Sequence, residues 1–498
     1  MVQPPREVGR EDVQTVVDVK GDDAVSRPRL ALPKPFWQLA LTEIWERFSF
    51  YGLQGVLGFY LLYSLDQGGL DVSPAIAVSI IGGYSGLIYL MQVVGGWMGD
   101  RVFPPRLMVL FGAVAIMTGH VTLSLIPGIH GLVTGLVFIV AGTGALKTNI
   151  TAIIGATLPA DRSMRDAGFS YFLMAVNTGC VLGPIITGWV QSVWGFHLAF
   201  LIASIGMAAG LVQYVLGYKD LPPASRIVRN RIRPANLAKY ASGGLFAAAL
   251  LALLWSIGTV NAGNLTHVVG ACIALAAGVL FSAILRSPAV ASDEKRRVAG
   301  YVPLWVVGVL YYGILLQVFT TVTIFVTERV DLDLFGWQLP AAWLIAVTPL
   351  VGVIFTPFIT RMWARQGPRE PSVTSKFAIG LVLVSGAYLL LLFSELTPGK
   401  EVSPALVLVC MALAGPSEVF VNPVTLSLVT RIAPQKFGTQ MTALGVLIIG
   451  GGAAISGVLG VLYTVMPLAP YLISVGVCGL ATAAAIRLMS RRIESLIE

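Results

Sequence analysis

The chain has 498 residues, of which 56% are hydrophobic and only 12% are charged. Its mean hydropathy is +0.81, whereas a soluble chain carries roughly 25% charged residues. The formal net charge is +8, but the basic residues lie in short loops between apolar runs, as is typical of membrane topology. The composition therefore excludes a water-soluble protein and gives no reason to expect a nucleic-acid partner.

Apolar runs of about 20 residues recur along the chain, and each is long enough to cross a hydrocarbon core of roughly 30 Å as a helix. They lie near residues 36–65, 74–98, 107–126, 131–158, 167–192, 196–217, 240–257, 264–285, 302–326, 340–364, 375–394, 403–430, 438–464 and 468–488. The runs predict an all-α integral membrane protein with about fourteen transmembrane helices.

The loops divide these helices into groups of six, two and six. The predicted segments are a disordered cytoplasmic tail (1–33), an N-terminal six-helix bundle (34–218), a cytoplasmic linker with two extra transmembrane helices (219–300), a C-terminal six-helix bundle (301–490) and a second cytoplasmic tail (491–498). Because alternate loops are rich in Lys and Arg, both termini are expected in the cytoplasm, with the chain in the cell (inner) membrane. This plan is that of the major facilitator fold, in which substrate binds between the halves.

The first apolar run carries ionisable residues at membrane depth, where they are costly and by default functional. Glu43, Glu46 and Arg47 share one helical face through their i, i+3 and i+4 spacing, and Tyr51 continues that face by one turn. Two carboxylates and one arginine leave one carboxylate without a counter-charge, and this surplus carboxylate can take up a proton. The alternative is a local salt bridge near the headgroups.

Two further charges lie inside apolar runs. Lys147 is deep in the fourth run and needs a carboxylate partner, unless its side chain reaches the interface. Glu418 lies in the second half and is expected to balance Lys147 in an empty pocket and a substrate ammonium in a filled one. The whole set holds three carboxylates and two cations, so that one proton neutralises it.

The sequence contains no nucleophile triad, no HExxH and no phosphate-cradling GxxxxGK[ST]. We therefore expect no enzymatic activity and no resident cofactor, with protons as the coupling ion. The oligomeric state is not predicted.

These residues resemble the proton-coupled oligopeptide transporter family of the major facilitator superfamily. The first-run residues Glu43 to Gly52 resemble the family signature ExxERFxYYG, and Gly95 to Arg101 resemble the general loop motif of the superfamily. Gly144 to Asn149 resemble G-x-x-K-P-N, and Gly168 to Gly179 resemble FYxxINxG. The likeness covers about residues 36–488.

The resemblance implies roles for individual residues. Proton coupling would involve Glu43, Glu46 and Arg47. Substrate binding would involve Arg47, Tyr51, Tyr84, Lys147, Asn177, Ser417 and Glu418, with the two cations on the peptide carboxylate and Glu418 on the α-ammonium. Gln54 and Gln317 stand where relatives have a gating arginine and glutamate, and are expected to close the gate through amide hydrogen bonds.

The chain departs from the family motifs at Phe50, Thr148, Leu173 and Leu444, where the family usually has tyrosine, proline, tyrosine and tryptophan, respectively. The main prediction is a proton-coupled symporter that imports di- and tripeptides by alternating access, with peptide, protons and the lipid bilayer as partners. One alternative is a transporter of a non-peptide amphipathic solute on the same scaffold. The other is a receptor or scaffold that does not transport.

Overall fold

The computed structural model describes residues 32–158, 162–396 and 402–497. Residues 1–31 of the predicted cytoplasmic tail lie outside this described part. The described residues form sixteen α-helices and one short hairpin. The helices are α1 (Lys34–Leu62), α2 (Pro74–Arg101), α3 (Pro105–Leu125), α4 (Gly128–Thr157), α5 (Arg162–Trp194), α6 (Phe196–Gly217), α7 (Pro234–Ser256), α8 (Leu265–Arg286), α9 (Ser292–Leu315), α10 (Thr321–Arg329), α11 (Ala341–Gln366), α12 (Val373–Leu390), α13 (Pro404–Ile432), α14 (Gly438–Tyr463), α15 (Leu468–Leu488) and α16 (Ser490–Ile497). The hairpin pairs β1 (Asp333–Leu334) with β2 (Trp337–Gln338) in antiparallel register.

Thirteen helical segments of the described chain are long and apolar enough to cross a membrane. Helix α1 is not among them because its charged and polar residues lower its mean hydropathy. Its 29 residues nevertheless extend about 43 Å at 1.5 Å per residue. Adding α1 to the thirteen gives the fourteen spans that the apolar runs predict, and the prediction of an all-α membrane protein is confirmed.

The predicted span at 302–326 differs from the observed helices at its start and in its interior. Helix α9 begins earlier, at Ser292, because its first turns are polar and hydrogen bonds rather than apolar burial stabilise them. There the Glu294 carboxylate accepts hydrogen bonds from the backbone N–H groups of Ala291, at 3.0 Å, and Gln435, at 3.3 Å. The span is also broken, since a 3₁₀ turn at Leu316–Phe319 separates α9 from α10.

Each half of the protein is a bundle with its own packing. In the first half α1 packs against α5 and α6, and α4 packs against α2 and α3. In the second half α12 packs against α13 and α15, α9 against α14, and α11 against α13. Small residues allow these close approaches. A Cβ placed on Gly183 of α5, for example, would stand 2.5 Å from the carbonyl oxygen of Phe48 in α1.

The two halves contact each other through α2 and α14 and through α5 and α11. A Cβ on Gly82 of α2 would stand 2.6 Å from the Cα of Gly457 in α14, and one on Gly188 of α5 would stand 2.7 Å from the Cβ of Ala342 in α11. All four residues lie toward the loops that are poor in Lys and Arg, at what we call the outer end. The opposite end, with the basic loops, is called the inner end.

At the inner end the halves are apart. A cavity of about 1560 Å³ separates α2 and α4 from α14, and its wall includes Asp100, Arg101 and Lys436. The structure is therefore closed at the outer end and open at the inner end.

The two helices between the halves differ in their surroundings. Helix α8 packs against α2 and α14 and buries Thr266, Val269 and Ile273. The described side chains of α7 are almost all exposed. One contact of α7 is made by Tyr240, whose ring centroid lies 5.3 Å from that of Trp97 in α2. Helix α8 is thus part of the packed core, and α7 is peripheral.

We predict that Gly183→Ala destabilises the first bundle by about 1 to 3 kcal/mol, the usual cost of overpacking. The added methyl group meets backbone atoms of α1, which cannot turn aside as a side chain can. The matched control is Gly243→Ala in α7, where nothing lies within 4 Å of the new Cβ. Thermal unfolding in detergent should show a lower midpoint for the first variant alone. Equal midpoints would refute the close packing of α1 on α5.

Candidate functional site

A cavity of about 1010 Å³ lies between the halves, at the middle of the helices. Its charged lining consists of Arg47 from α1, Lys147 from α4 and Glu418 from α13. Its other polar lining residues are Tyr51, Tyr89, Gln92, Tyr312, Thr348 and Asn422. The cavity shares Gln92 and Val446 with the inner-end cavity, so the charged site faces the open end of the protein.

Arg47 forms a bidentate ion pair with its sequence neighbour Glu46. The Arg47 Nε atom lies 2.5 Å from Glu46 Oε2, and Nη2 lies 2.6 Å from Oε1. Paired, parallel contacts of this kind are among the strongest side-chain hydrogen bonds. The guanidinium also lies over the ring of Phe50, 4.6 Å from its centroid. Glu46 is fully buried, so Arg47 stands between this carboxylate and the cavity.

Lys147 contacts Glu43, and the two form a second buried ion pair. The same Glu43 oxygen, Oε1, lies 3.6 Å from Arg47 Nε, while Oε2 has no hydrogen-bond partner within the described ranges. The expectation that Glu418 balances Lys147 in the empty pocket is therefore wrong for this conformation. Glu43 lies on the face of α1 that meets α4, whereas Glu418 lies across the cavity in the other half.

Glu418 has no ion-pair partner among the residues that the structure describes. It is half-buried and lines the central cavity. Pro416 and Pro423 lie on either side of it in α13, and each removes a backbone N–H from the helical hydrogen-bond ladder. Asn422, one turn after Glu418 on the same face, also lines the cavity. The second half thus presents one anionic group and an amide.

Three other predicted binding residues lie in different surroundings. Asn177 lines an adjoining cavity of about 670 Å³ that shares Tyr51 and Glu418 with the central one. Ser417 is outside the lining, because it lies about 100° around α13 from Glu418 and its hydroxyl lies 2.9 Å from that of Tyr311. Tyr84 is also outside the lining and is buried.

Tyr89 takes the position in the α2 wall that was expected for Tyr84. Residues five apart on an α-helix point about 140° away from each other, so both cannot face the cavity.

The two gate glutamines do not bond to each other. Gln54 Nε2 donates to the Ser85 hydroxyl at 2.9 Å, and the Tyr471 hydroxyl donates to Gln317 Oε1. Each amide is thus hydrogen-bonded within its own half. The predicted amide–amide closure is wrong for this outer-closed conformation, because Gln317 lies in the 3₁₀ turn between α9 and α10 and its side chain faces α15.

Sequence reasoning missed several wall residues, among them Gln92, Tyr312, Thr348 and Asn422. For two of them the sequence itself held a recognisable signal. Asn422 follows Glu418 by four residues and precedes a proline, and Thr348 also precedes a proline within an apolar run. A polar residue beside a membrane proline often marks irregular backbone at a binding site.

Two membrane-spanning bundles with a charged cavity between them, closed at one end and open at the other, define a secondary transporter. The model of the POT family matches residues 106–474. A di-/tripeptide transporter of Lactococcus lactis subsp. cremoris is 32% identical over 432 residues, which are 83% of this chain and 86% of that protein. An uncharacterised transporter of Bacillus subtilis is 31% identical over 461 residues, which are 92% and 94% of the two chains.

Solved structures agree with these sequence matches. A peptide transporter POT in complex with sulfate has a TM-score of 0.88 and 32% identity, and the match covers 93% of this chain and 96% of that one. A POT family transporter in complex with 5-aminolevulinic acid has a TM-score of 0.87 and 31% identity, with coverages of 93% and 97%. This chain belongs to the POT family, the proton-coupled oligopeptide transporters, and the predictions of family and fold are confirmed.

We predict that Gln54→Arg and Gln317→Glu act independently, because their side chains bond to Ser85 and Tyr471 rather than to each other. The effects of the single and double changes on initial uptake rates in proteoliposomes should add within about 0.5 kcal/mol. Recovery of uptake in the double variant would instead show that the two side chains meet.

Proposed function

We propose that this chain imports di- and tripeptides together with protons by alternating access. One observation carries the proposal: a single cavity presents Arg47 and Lys147 on one half and Glu418 on the other, and Glu418 has no ion-pair partner in the described part of the chain. The family membership and the relatives named di-/tripeptide transporters support it. We further propose that the protein lies in the inner cell membrane with both termini cytoplasmic, and that it is not an enzyme.

A zwitterionic peptide complements the charges of this cavity. Its carboxylate would bind Arg47 and Lys147, and its α-ammonium would bind Glu418. Because these groups lie on opposite halves, a substrate with both charges connects the two bundles, whereas one with a single charge engages only one of them. The peptide backbone would find hydrogen-bonding partners in Tyr51 and Asn177, which line the adjoining cavity.

The buried ion pairs provide a route for proton coupling. Arg47 and Lys147 are each held by a carboxylate, so they can bind a substrate carboxylate fully only when that hold is weakened. Protonation of Glu46 or Glu43 removes the negative charge and frees the cation for the substrate. A proton and a peptide then favour each other's binding, and this linkage is reciprocal.

Charge balance gives a reason to move both together. The site holds three carboxylates and two cations, so it carries one surplus negative charge when nothing is bound. A zwitterionic peptide leaves this sum unchanged, and one proton brings it to zero. Burying a neutral set as the cavity closes costs far less than burying a net charge.

A second candidate is a non-peptide solute that carries both an ammonium and a carboxylate. The similar POT family structure in complex with 5-aminolevulinic acid favours it. So does Leu173 in the wall of the adjoining cavity, since it replaces a tyrosine of the family motif with an apolar side chain. Competition of uptake by a dipeptide panel and by such solutes separates the two candidates.

We predict that Glu46→Gln abolishes pH-gradient-driven peptide accumulation in proteoliposomes while some peptide counterflow persists. A permanently neutral side chain cannot respond to the gradient, but the cavity and its cations remain. Glu395→Gln is the control, because Glu395 lies outside the cavity and is partly exposed beside Arg329. Gradient-driven uptake at the parental rate in Glu46→Gln would show that Glu46 has no part in coupling.

We predict that Glu418 binds the peptide's amino terminus. N-acetylated dipeptides, which lack the ammonium, should compete at least tenfold more weakly than free dipeptides, since disrupting a desolvated charged pair costs about 2 to 5 kcal/mol. In Glu418→Gln, free dipeptides should lose affinity and acetylation should make little further difference. If acetylation weakens competition equally in both proteins, the ammonium binds elsewhere.

A further inference from the structure

The inserted helix α8 lies on the seam between the two halves at the outer end. Its second residue, Thr266, is fully buried. The Thr266 backbone N–H donates to the Ser79 hydroxyl of α2 at 3.3 Å. Its side-chain hydroxyl donates to the Ala454 carbonyl oxygen of α14 at 2.8 Å. One residue therefore joins the first half to the second.

The two halves also approach each other closely at this point of contact. A Cβ on Gly82 of α2 would stand 2.6 Å from the Cα of Gly457 in α14 and 2.8 Å from the Thr266 hydroxyl oxygen. Three helices thus meet at two glycines and one threonine. No side chain larger than hydrogen fits on Gly82 without displacing the others.

Below Thr266, α8 continues to fill the groove between α2 and α14. Val269 and Ile273 follow at i+3 and i+7 on the same face, and both are buried. A Cβ on Gly86 of α2 would stand 2.8 Å from Val269, and a Cβ on Gly450 of α14 would stand 3.3 Å from Ile273. The contact is a continuous stripe that touches both halves along about two turns of helix.

Alternating access requires α2 and α14 to separate at the outer end. A helix that contacts both must then lose its contacts with at least one of them. The contacts of α8 with the helix from which it separates therefore add to the free energy of opening. We propose that α8 is a clasp on the outer gate and that Thr266 is a positioning residue that favours the outer-closed conformation.

This inference does not depend on the identity of the substrate, because it concerns the conformational equilibrium of the empty protein. The proposed role belongs to α8 and not to α7, because the described side chains of α7 are almost all exposed. A passive α8 that moves with α2 as a rigid unit, without energetic contact to α14, makes the opposite prediction for the Thr266 hydroxyl.

The test measures the distance between the two sides of the outer end. Spin labels at Gln67→Cys, between α1 and α2, and Val465→Cys, between α14 and α15, report opening by pulsed electron paramagnetic resonance. The background replaces the native cysteines and must retain peptide uptake. Spectra are recorded in lipid without substrate, at a pH at which the parent populates both conformations.

Thr266→Val removes the hydroxyl but keeps the shape. A single neutral hydrogen bond contributes about 0.5 to 1.5 kcal/mol, so the ratio of outer-open to outer-closed protein should rise about two- to tenfold. Thr266→Ser, which keeps the hydroxyl, should stay close to the parent. Ser79→Ala removes the bond on the α2 side, so it should shift the ratio in the same direction if α8 separates from α2 rather than from α14. The two variants together therefore cover both ways in which α8 can lose a contact on opening.

The matched control is Thr187→Val. Thr187 is equally buried, and its hydroxyl lies 3.0 Å from the Gly52 carbonyl oxygen, but this contact joins α5 to α1 within one half. It should lower thermal stability without changing the distance distribution. The proposal that α8 stabilises the outer-closed conformation would be refuted by either of two results. One is an unchanged distance distribution in both Thr266→Val and Ser79→Ala, and the other is an equal shift in Thr187→Val.

Discussion

The structure depends on the compensation of charge at membrane depth. Arg47 and Lys147 line a central cavity, and each is held by a buried carboxylate, Glu46 or Glu43. A buried charge without its partner is strongly destabilising, because desolvation is no longer offset by attraction. The Glu43–Lys147 pair therefore holds α1 against α4, and both pairs keep the cations at the cavity wall. Glu418, on the other half, has no ion-pair partner among the residues that the structure describes.

The closed outer end is held by packing rather than by charge. Gln54 and Gln317 are each bonded within their own half, to Ser85 and to Tyr471. Glycine contacts between α2 and α14, with α8 over the seam, supply the closure instead. The glycines, Thr266 and the two glutamines at this closure carry no ionisable side chain.

Much of the architecture could be predicted from the sequence because membrane helices leave a strong local signal. Apolar runs located the spans, and the i, i+3, i+4 spacing placed Glu43, Glu46 and Arg47 on one face. The break between α9 and α10 was missed, since Leu316 to Phe319 are as apolar as their neighbours. The early start of α9 was missed for the opposite reason, because its first turns are polar.

The sequence by itself determined the number of spans, the family, and which ionisable residues lie inside the membrane. Only the tertiary structure decided that Lys147 pairs with Glu43, that Ser417 and Tyr84 face away from the cavity, and that α8 lies on the seam. These outcomes depend on how each helix is rotated against partners that are distant in sequence. A transmembrane helix is apolar around most of its circumference, so its sequence carries little information about that rotation, and the packing of the whole bundle determines it.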